Sequence, residues 1–434
     1  MSDEELFAMQ VRDKDSGSFN SPLNHRNSWT QRTFGPMKAG SVRGSIFTLA
    51  STAMGAGYLA TPTILELTGV FLGLFIIVVG GLITTAGVQV VAKCAEKHKI
   101  FHYPKVAKEI LGNKWAVLLE IAIISNGYGL ILALNIVVGS LIPSIMSSFG
   151  VHGHDELERA LAMVALNVCI ITPLGIMRNL GALRFKALFN VTCLTFIMLV
   201  IIIEFPFFVE DNNYSDINYF TIDINFPAAF SLSLFAYLCH QNLTRIQNEL
   251  NDRTLVRMNK VIKRSVSIMF TLFSTLALFG YLSCLKKTPH LIIMRNAPSS
   301  IDNDWAMVVC RVMITFTMSI AIPININPCR VSIQRLFFKT EEKAPNWMHF
   351  GITFFIIFST LLIAIFFPNI EIVFHFLGGF CGSVMALIIP GLMYVKSTDL
   401  PLSHWKNILV LTGSFGLALL GFTSLAIDFY KLAK

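Results

Sequence analysis

The sequence predicts an all-α membrane protein with about eleven transmembrane helices. Three observations carry this. Hydrophobic residues make up 54% of the 434 and charged residues only 14%, where a soluble domain holds roughly 25% charged. Mean hydropathy is +0.63. Apolar runs of about twenty residues, the length that crosses a hydrocarbon core, recur from residue 44 to residue 428.

The runs fall at 44–69, 71–93, 115–145, 157–176, 187–208, 227–244, 264–284, 305–328, 348–367, 371–395 and 405–428. The first, opening GSIFTLASTAMGAGYLATP, carries a break of small residues, Gly55-Ala56-Gly57. Glycines weaken a helix where they stand. Unwound backbone at membrane depth persists only where protein or a polar cavity surrounds it. A broken helix of this kind marks the substrate and ion site of many secondary transporters; close packing of a neighbouring helix on small residues is the other reading. The second run has a face of Gly80, Gly81 and Gly87 suited to tight packing. Between runs two and three, Tyr103–Gly112 places apolar residues at helical spacing with lysines between them, as in a short interfacial helix.

Residues 1–43 are polar and Ser/Asn-rich, with no apolar core, and read as a disordered cytoplasmic tail without a cleavable signal. Residues 44–428 form the transmembrane domain. Most of the eight cysteines lie inside apolar runs with no metal-like spacing, so they read as small buried hydrophobes. Cys284 and Cys310 both come near the outer face, which leaves a disulfide between them open.

The net charge of +8 is carried mostly in short loops, including Lys97, Lys105, Arg178, Arg184, Arg257, Lys260, Lys339, Lys343 and Lys396. That is the topogenic pattern and not a phosphate-binding face, so no nucleic acid partner is expected. It sets the N-terminus in the cytoplasm, and an odd number of spans then sets the C-terminus outside or in a lumen. The loop at 209–225 holds no Lys or Arg and carries the glycosylation triplet Asn213-Tyr214-Ser215. Asn190-Val191-Thr192 and Asn242-Leu243-Thr244 also match, but this topology hides them.

No nucleophile elbow, zinc-protease helix or P-loop is present, so an enzyme is not expected, nor a metal or cofactor. The informative positions are polar groups inside spans, which are costly there. Ser51 and Thr52 precede the break, where carbonyls around Ala53, Met54 and Gly55 are freed. A broken helix offers N–H groups to a carboxylate and carbonyls to a cation; hydroxyls bonded to their own helix are the alternative. Tyr128 sits between Gly127 and Gly129 in the third run, and points into a cavity or packs between helices. In the sixth, Phe230, Ser233 and Phe235 alternate small polar and aromatic residues, a plausible wall for an apolar side chain. Glu66 reads as solvated near the outer face. Glu120 reads as a proton carrier or as a partner for a basic loop residue, His240 as a packing residue or as a proton carrier, and His375 precedes a glycine-rich stretch in the tenth run.

Four blocks together resemble the amino acid/auxin permease family. They are TLASTAMGAGYLATP, FAYLCHQNLTRIQNEL, RVMITFTMSIAIPININPCRVSI and FPNIEIVFHFLGGFCGSVMALIIPGLMYVK, with the Cys239-His240 block the most specific. The resemblance implies a leucine-transporter-type fold, a 5+5 inverted repeat plus one helix, with a substrate site between helices one, three, six and eight. It implies secondary-active amino-acid symport, and the mostly uncharged candidate residues favour a neutral substrate; an amino-acid-sensing receptor without significant flux is the alternative reading. The site would comprise Ser51, Thr52, Gly55, Ala56, Gly57, Tyr128, Phe230, Ser233 and Phe235, with backbone at Gly55–Gly57 meeting the substrate's carboxylate and amine. The coupling ion would be sodium or a proton, and Ser51, Ala53 and Ser319 would form a sodium site. Ser319 falls where sodium-coupled members keep Thr or Ser. Ser51 falls where many keep Asn, and it offers a single oxygen with shorter reach. The membrane would be the plasma membrane or a vacuolar or lysosomal one. A β-branched residue at Gly57 would fill the ligand's space and stiffen the helix.

The charge asymmetry makes a direct prediction. In a cysteine-depleted background, an impermeant thiol reagent on intact cells should label Asn213→Cys and spare Asn251→Cys; the reverse pattern would invert the topology.

Overall fold

Ser41 starts the first helix: its Oγ accepts the Gly44 N–H at 3.2 Å, meeting one of the donors a helix start leaves open. Helix α1 (Val42–Ala53) then runs to Met54, which turns extended at φ −77°, ψ 95°. Gly55 follows at φ −141°, ψ −134°. The chain resumes as α2 (Ala56–Leu59) and α3 (Thr61–Thr68), with Pro62 in the first turn of α3, where a missing N–H is tolerated. The interruption therefore falls at Met54–Gly55, and Ala56 and Gly57 are already helical. The computed structural model describes residues 40–150, 155–177, 186–301, 304–338, 345–398 and 400–434. The N-terminal tail up to residue 39 and the loop cations Arg178, Arg184, Lys339 and Lys343 lie outside the described residues.

Gly69 joins α3 to α4 (Val70–His98) at φ +82°. A Cβ there would sit 2.6 Å from the Phe220 nitrogen, so the position needs glycine both for its conformation and for the close approach. The approaching segment satisfies the helix ends. Val70 and Phe71 donate to the carbonyls of Asn218 and Tyr219 at 2.9 and 3.0 Å, and Thr221 donates to Thr68 at 2.9 Å.

The expected interfacial helix is α5 (Tyr103–Leu111), and α6 (Asn113–Ser148) follows. Then come α7 (Asp155–Leu166), a π-turn at Asn167–Ile171, α8 (Thr172–Ile176) and α9 (Lys186–Phe208). The sixth apolar run splits into α10 (Phe226–Ala236) and α11 (His240–Glu249). Beyond it lie α12 (Leu255–Cys284), α13 (Trp305–Phe338) and α14 (Asn346–Phe366). The tenth run is α15 (Ile370–Phe376), a π-helical stretch Leu377–Ile388, and α16 (Ile389–Ser397); α17 (Trp405–Ala433) closes the chain. Among the described residues nine helical stretches are long and apolar enough to cross a membrane. The runs at 44–69 and 227–244 are apolar too, but each is divided into shorter helices.

The most apolar window of the tenth run is 78% buried and that of α17 only 17%, so the former lies central and the latter peripheral. α6 packs along α13, and α10 lies against the π-helical stretch. At that crossing a Cβ on Gly378 would strike the backbone of Ser231. A Cβ on Gly379 would sit 2.5 Å from the Gly421 carbonyl of α17.

The segment between α12 and α13 is anchored into the bundle. Arg295 is buried and pairs with Glu204 near the end of α9. It also donates to Ser283 Oγ at 3.2 Å, and its guanidinium lies 4.5 Å from the Phe208 ring centroid. Leaving one charge of such a buried pair alone costs about 3–5 kcal/mol. Further along, Ser299 donates its backbone N–H to Asp211 at 2.7 Å and its hydroxyl to the same carboxylate. These bonds hold the Asp211 carboxyl below its ordinary pKa. Cys284 and Cys310 are both free thiols, so the disulfide left open by the sequence is not formed.

The Gly378 crossing is a stability test. Gly378→Ala should lower the unfolding temperature of the purified protein, because overpacking at a rigid backbone contact costs about 1–3 kcal/mol. Gly413→Ala, whose Cβ meets nothing within 4 Å, should leave it unchanged or raised.

Candidate functional site

The two interrupted segments meet. A Cβ on Gly57 of α2 would lie 3.0 Å from the Phe235 ring and 3.1 Å from the Ala236 Cα, at the end of α10. Phe235 in turn stacks on Phe374 of α15, with ring centroids 5.0 Å apart. The glycine face of α4 receives the second interruption: Gly80 and Gly81 lie against Ser233 and Tyr237, and Gly87 against His240. Tyr237 and His240 are fully buried. Within the described residues, the Tyr237 hydroxyl and both His240 ring nitrogens have no hydrogen-bond partner. Asn126 of α6 donates to Gln241 at 3.0 Å, tying the start of α11 to the third run.

Each residue expected from the sequence has a definite place. Gly55 faces open space, since a Cβ there would meet nothing within 4 Å. Ala56 is fully buried and Ala53 nearly so. Ser51 accepts from Asn190 at 3.2 Å. Thr52 donates to the Leu49 carbonyl of its own helix at 2.7 Å. Ser319 likewise donates to Thr315 at 2.7 Å. Phe230 and Phe235 are both buried on α10, Phe235 at its end against Gly57. Ser233 donates to the Ile76 carbonyl at 3.2 Å and so faces α4. Tyr128 donates to Ser359 at 2.9 Å and reaches α14. Glu66 is half-buried on α3. His375 is not alone: its Nδ1 lies 2.7 Å from Asp428 of α17, and both are buried.

Asn190 was not among the expected site residues. Its amide donates to Ser51 Oγ and, at 2.9 Å, to the carbonyl of Met54, the residue that ends α1. The α9 helix that carries it packs on both α1 and α13. An asparagine in an apolar run was itself a signal, because such a group is costly in a membrane and needs a purpose. Asp428 was equally missed as the partner of His375.

Gly55 and Gly57 separate two effects. Gly57→Val should lose thermal stability, because the added atoms meet the Phe235 ring and Ala236 backbone and not free space. Gly55→Ala should unfold within about 0.5 kcal/mol of the wild type, as substitutions away from packed contacts do. Thermal unfolding of both purified variants checks the contrast.

A family model described as transmembrane amino acid transporter protein matches residues 38–432. The chain is 26% identical over 317 residues to amino acid transporter AAT1 of Toxoplasma gondii, covering 73% of this chain and 43% of that longer protein. It is 25% identical over 357 residues to vacuolar amino acid transporter 5 of Schizosaccharomyces pombe, covering 81% of this chain and 83% of the relative. Among solved structures, MhsT in complex with L-phenylalanine is similar in fold, with a TM-score of 0.53 at 12% identity, over 88% of this chain and 98% of that one.

Proposed function

The chain belongs to the transmembrane amino acid transporter family, and on that premise we propose that it carries neutral amino acids across a membrane by ion-coupled alternating access. The observation that carries this reading is the contact between the two interrupted segments, Gly57 against Phe235 and Ala236. Counted as two broken spans, these segments join the nine continuous ones to make eleven, the number a 5+5 repeat plus one helix requires. The N-terminus is then cytoplasmic and the C-terminus outside or luminal. The S. pombe relative named as vacuolar favours an internal membrane.

The substrate's charged end is met by backbone beside Gly55, where space is open. Peptide groups left without helical partners supply N–H and C=O dipoles there without a charged side chain. The apolar end lies along Phe230 and Phe235. None of these side chains is charged, so a basic or acidic substrate would enter without a partner for its charge, at a cost of several kcal/mol. MhsT, similar in fold, is seen in complex with a neutral amino acid, L-phenylalanine, which fits the same preference. Binding between the two interruptions favours the closed arrangement because contacts to both are complete only there. Phe235, stacked on Phe374, conveys that closure to α15.

Purified protein in liposomes should exchange internal unlabelled for external labelled neutral amino acids, and lysine or glutamate should not compete. Binding without exchange would turn the reading to a sensor; competition by lysine or glutamate would reject neutral selectivity.

A further inference from the structure

Two oxygens at the end of α1 where a sodium ion was expected, the Ser51 hydroxyl and the Met54 carbonyl, already have a donor. Met54 ends α1, so its carbonyl lacks a helical N–H partner. The Asn190 amide supplies one at 2.9 Å and also donates to Ser51 Oγ at 3.2 Å. The orientation of this amide is not arbitrary: a carbonyl only accepts, so the NH2 and not the oxygen of Asn190 must face Met54. Its two N–H groups are thereby both used. Asn190 itself is 7% exposed, and its bond to Met54 is buried.

A small cation needs several oxygens with lone pairs turned towards it. An amide NH2 competes for the same acceptors, since it points partial positive charge at one lone pair of each. It does for the C-terminal end of α1 what a bound cation would do. The hydroxyls of Thr52 and Ser319 donate to Leu49 and Thr315 and keep their own lone pairs, so the amide competes with a cation only at Met54 and Ser51. At Met54 and Ser51 the place a cation would take is therefore held by an amide NH2.

We infer that Asn190 is a built-in replacement for a coupling sodium ion, and that its amide makes the transport cycle independent of sodium. The transport part rests on the amino-acid transport reading; the binding part does not. Asn190 is a specificity-determining residue for the ion, acting through Met54 and Ser51. Exchanging its NH2 for oxygen would set a carboxylate, the Met54 carbonyl and the Ser51 hydroxyl against one another, an arrangement that calls for a cation.

The test uses the full chain with sodium chloride against choline chloride and potassium chloride at pH 8. Wild-type protein should unfold at the same temperature in all three salts, and counterflow of a labelled neutral amino acid mixture into liposomes should not change with sodium. Asn190→Asp should be stabilised selectively by sodium, and its counterflow should rise with sodium by about tenfold or more, the effect of a modest differential affinity between two states. Sodium-selective stabilisation or stimulation of the wild type would overturn the inference. So would a folded Asn190→Asp protein indifferent to sodium. If that variant fails to fold, the wild-type comparison decides. Wild-type protein with no counterflow in any salt would count against amino-acid transport, and the unfolding measurement would still decide the role of Asn190.

Discussion

A peptide group deprived of its helical partner inside a hydrocarbon layer must be given another, and the architecture around α1 is organised by that requirement. The helix stops at Met54, and the carbonyl released there is taken by Asn190 from a helix 136 residues away in sequence. The other end of the same apolar run is completed by the backbone of 218–221, which pairs with Thr68, Val70 and Phe71. An interrupted span is thus held at both of its irregular points by chain from elsewhere.

The second interruption is supported differently. Where α10 gives way to α11, support comes from absence of bulk: Gly80, Gly81 and Gly87 of α4 make room for Tyr237 and His240. Gly378 does the same for Ser231 on the opposite side. Both interruptions are then joined through Gly57 and Phe235, and Phe235 is stacked on Phe374. The rings here fix position by packing, whereas at α1 position is fixed by hydrogen bonds.

Much of the fold was legible in the sequence, because apolar length and small-residue breaks are local signals. The interrupted first run, the short helix at Tyr103 and the glycine face of α4 could all be read that way. The π-helical stretch at Leu377–Ile388 could not, since nothing in local composition distinguishes it from an α-helix. The site was less legible. Gly57 is required by a ring on α10 and not by open space, and Thr52 and Ser319 spend their hydroxyls on their own helices. The pairs Asn190 with Met54, His375 with Asp428 and Glu204 with Arg295 each join distant positions. No spacing rule reveals such partners in a single chain, although the rarity of polar groups in apolar runs singles out one member of each pair.

The anchored segment between α12 and α13 has a mechanical meaning. Arg295 grips α9 at Glu204, and the same helix holds the end of α1 at Asn190, fourteen positions earlier, a rigid span of about 21 Å. Loop and break are therefore two ends of one lever. An antibody fragment or cyclic peptide that clasped the loop would restrain the break from a distance, without touching Gly55 or Phe235.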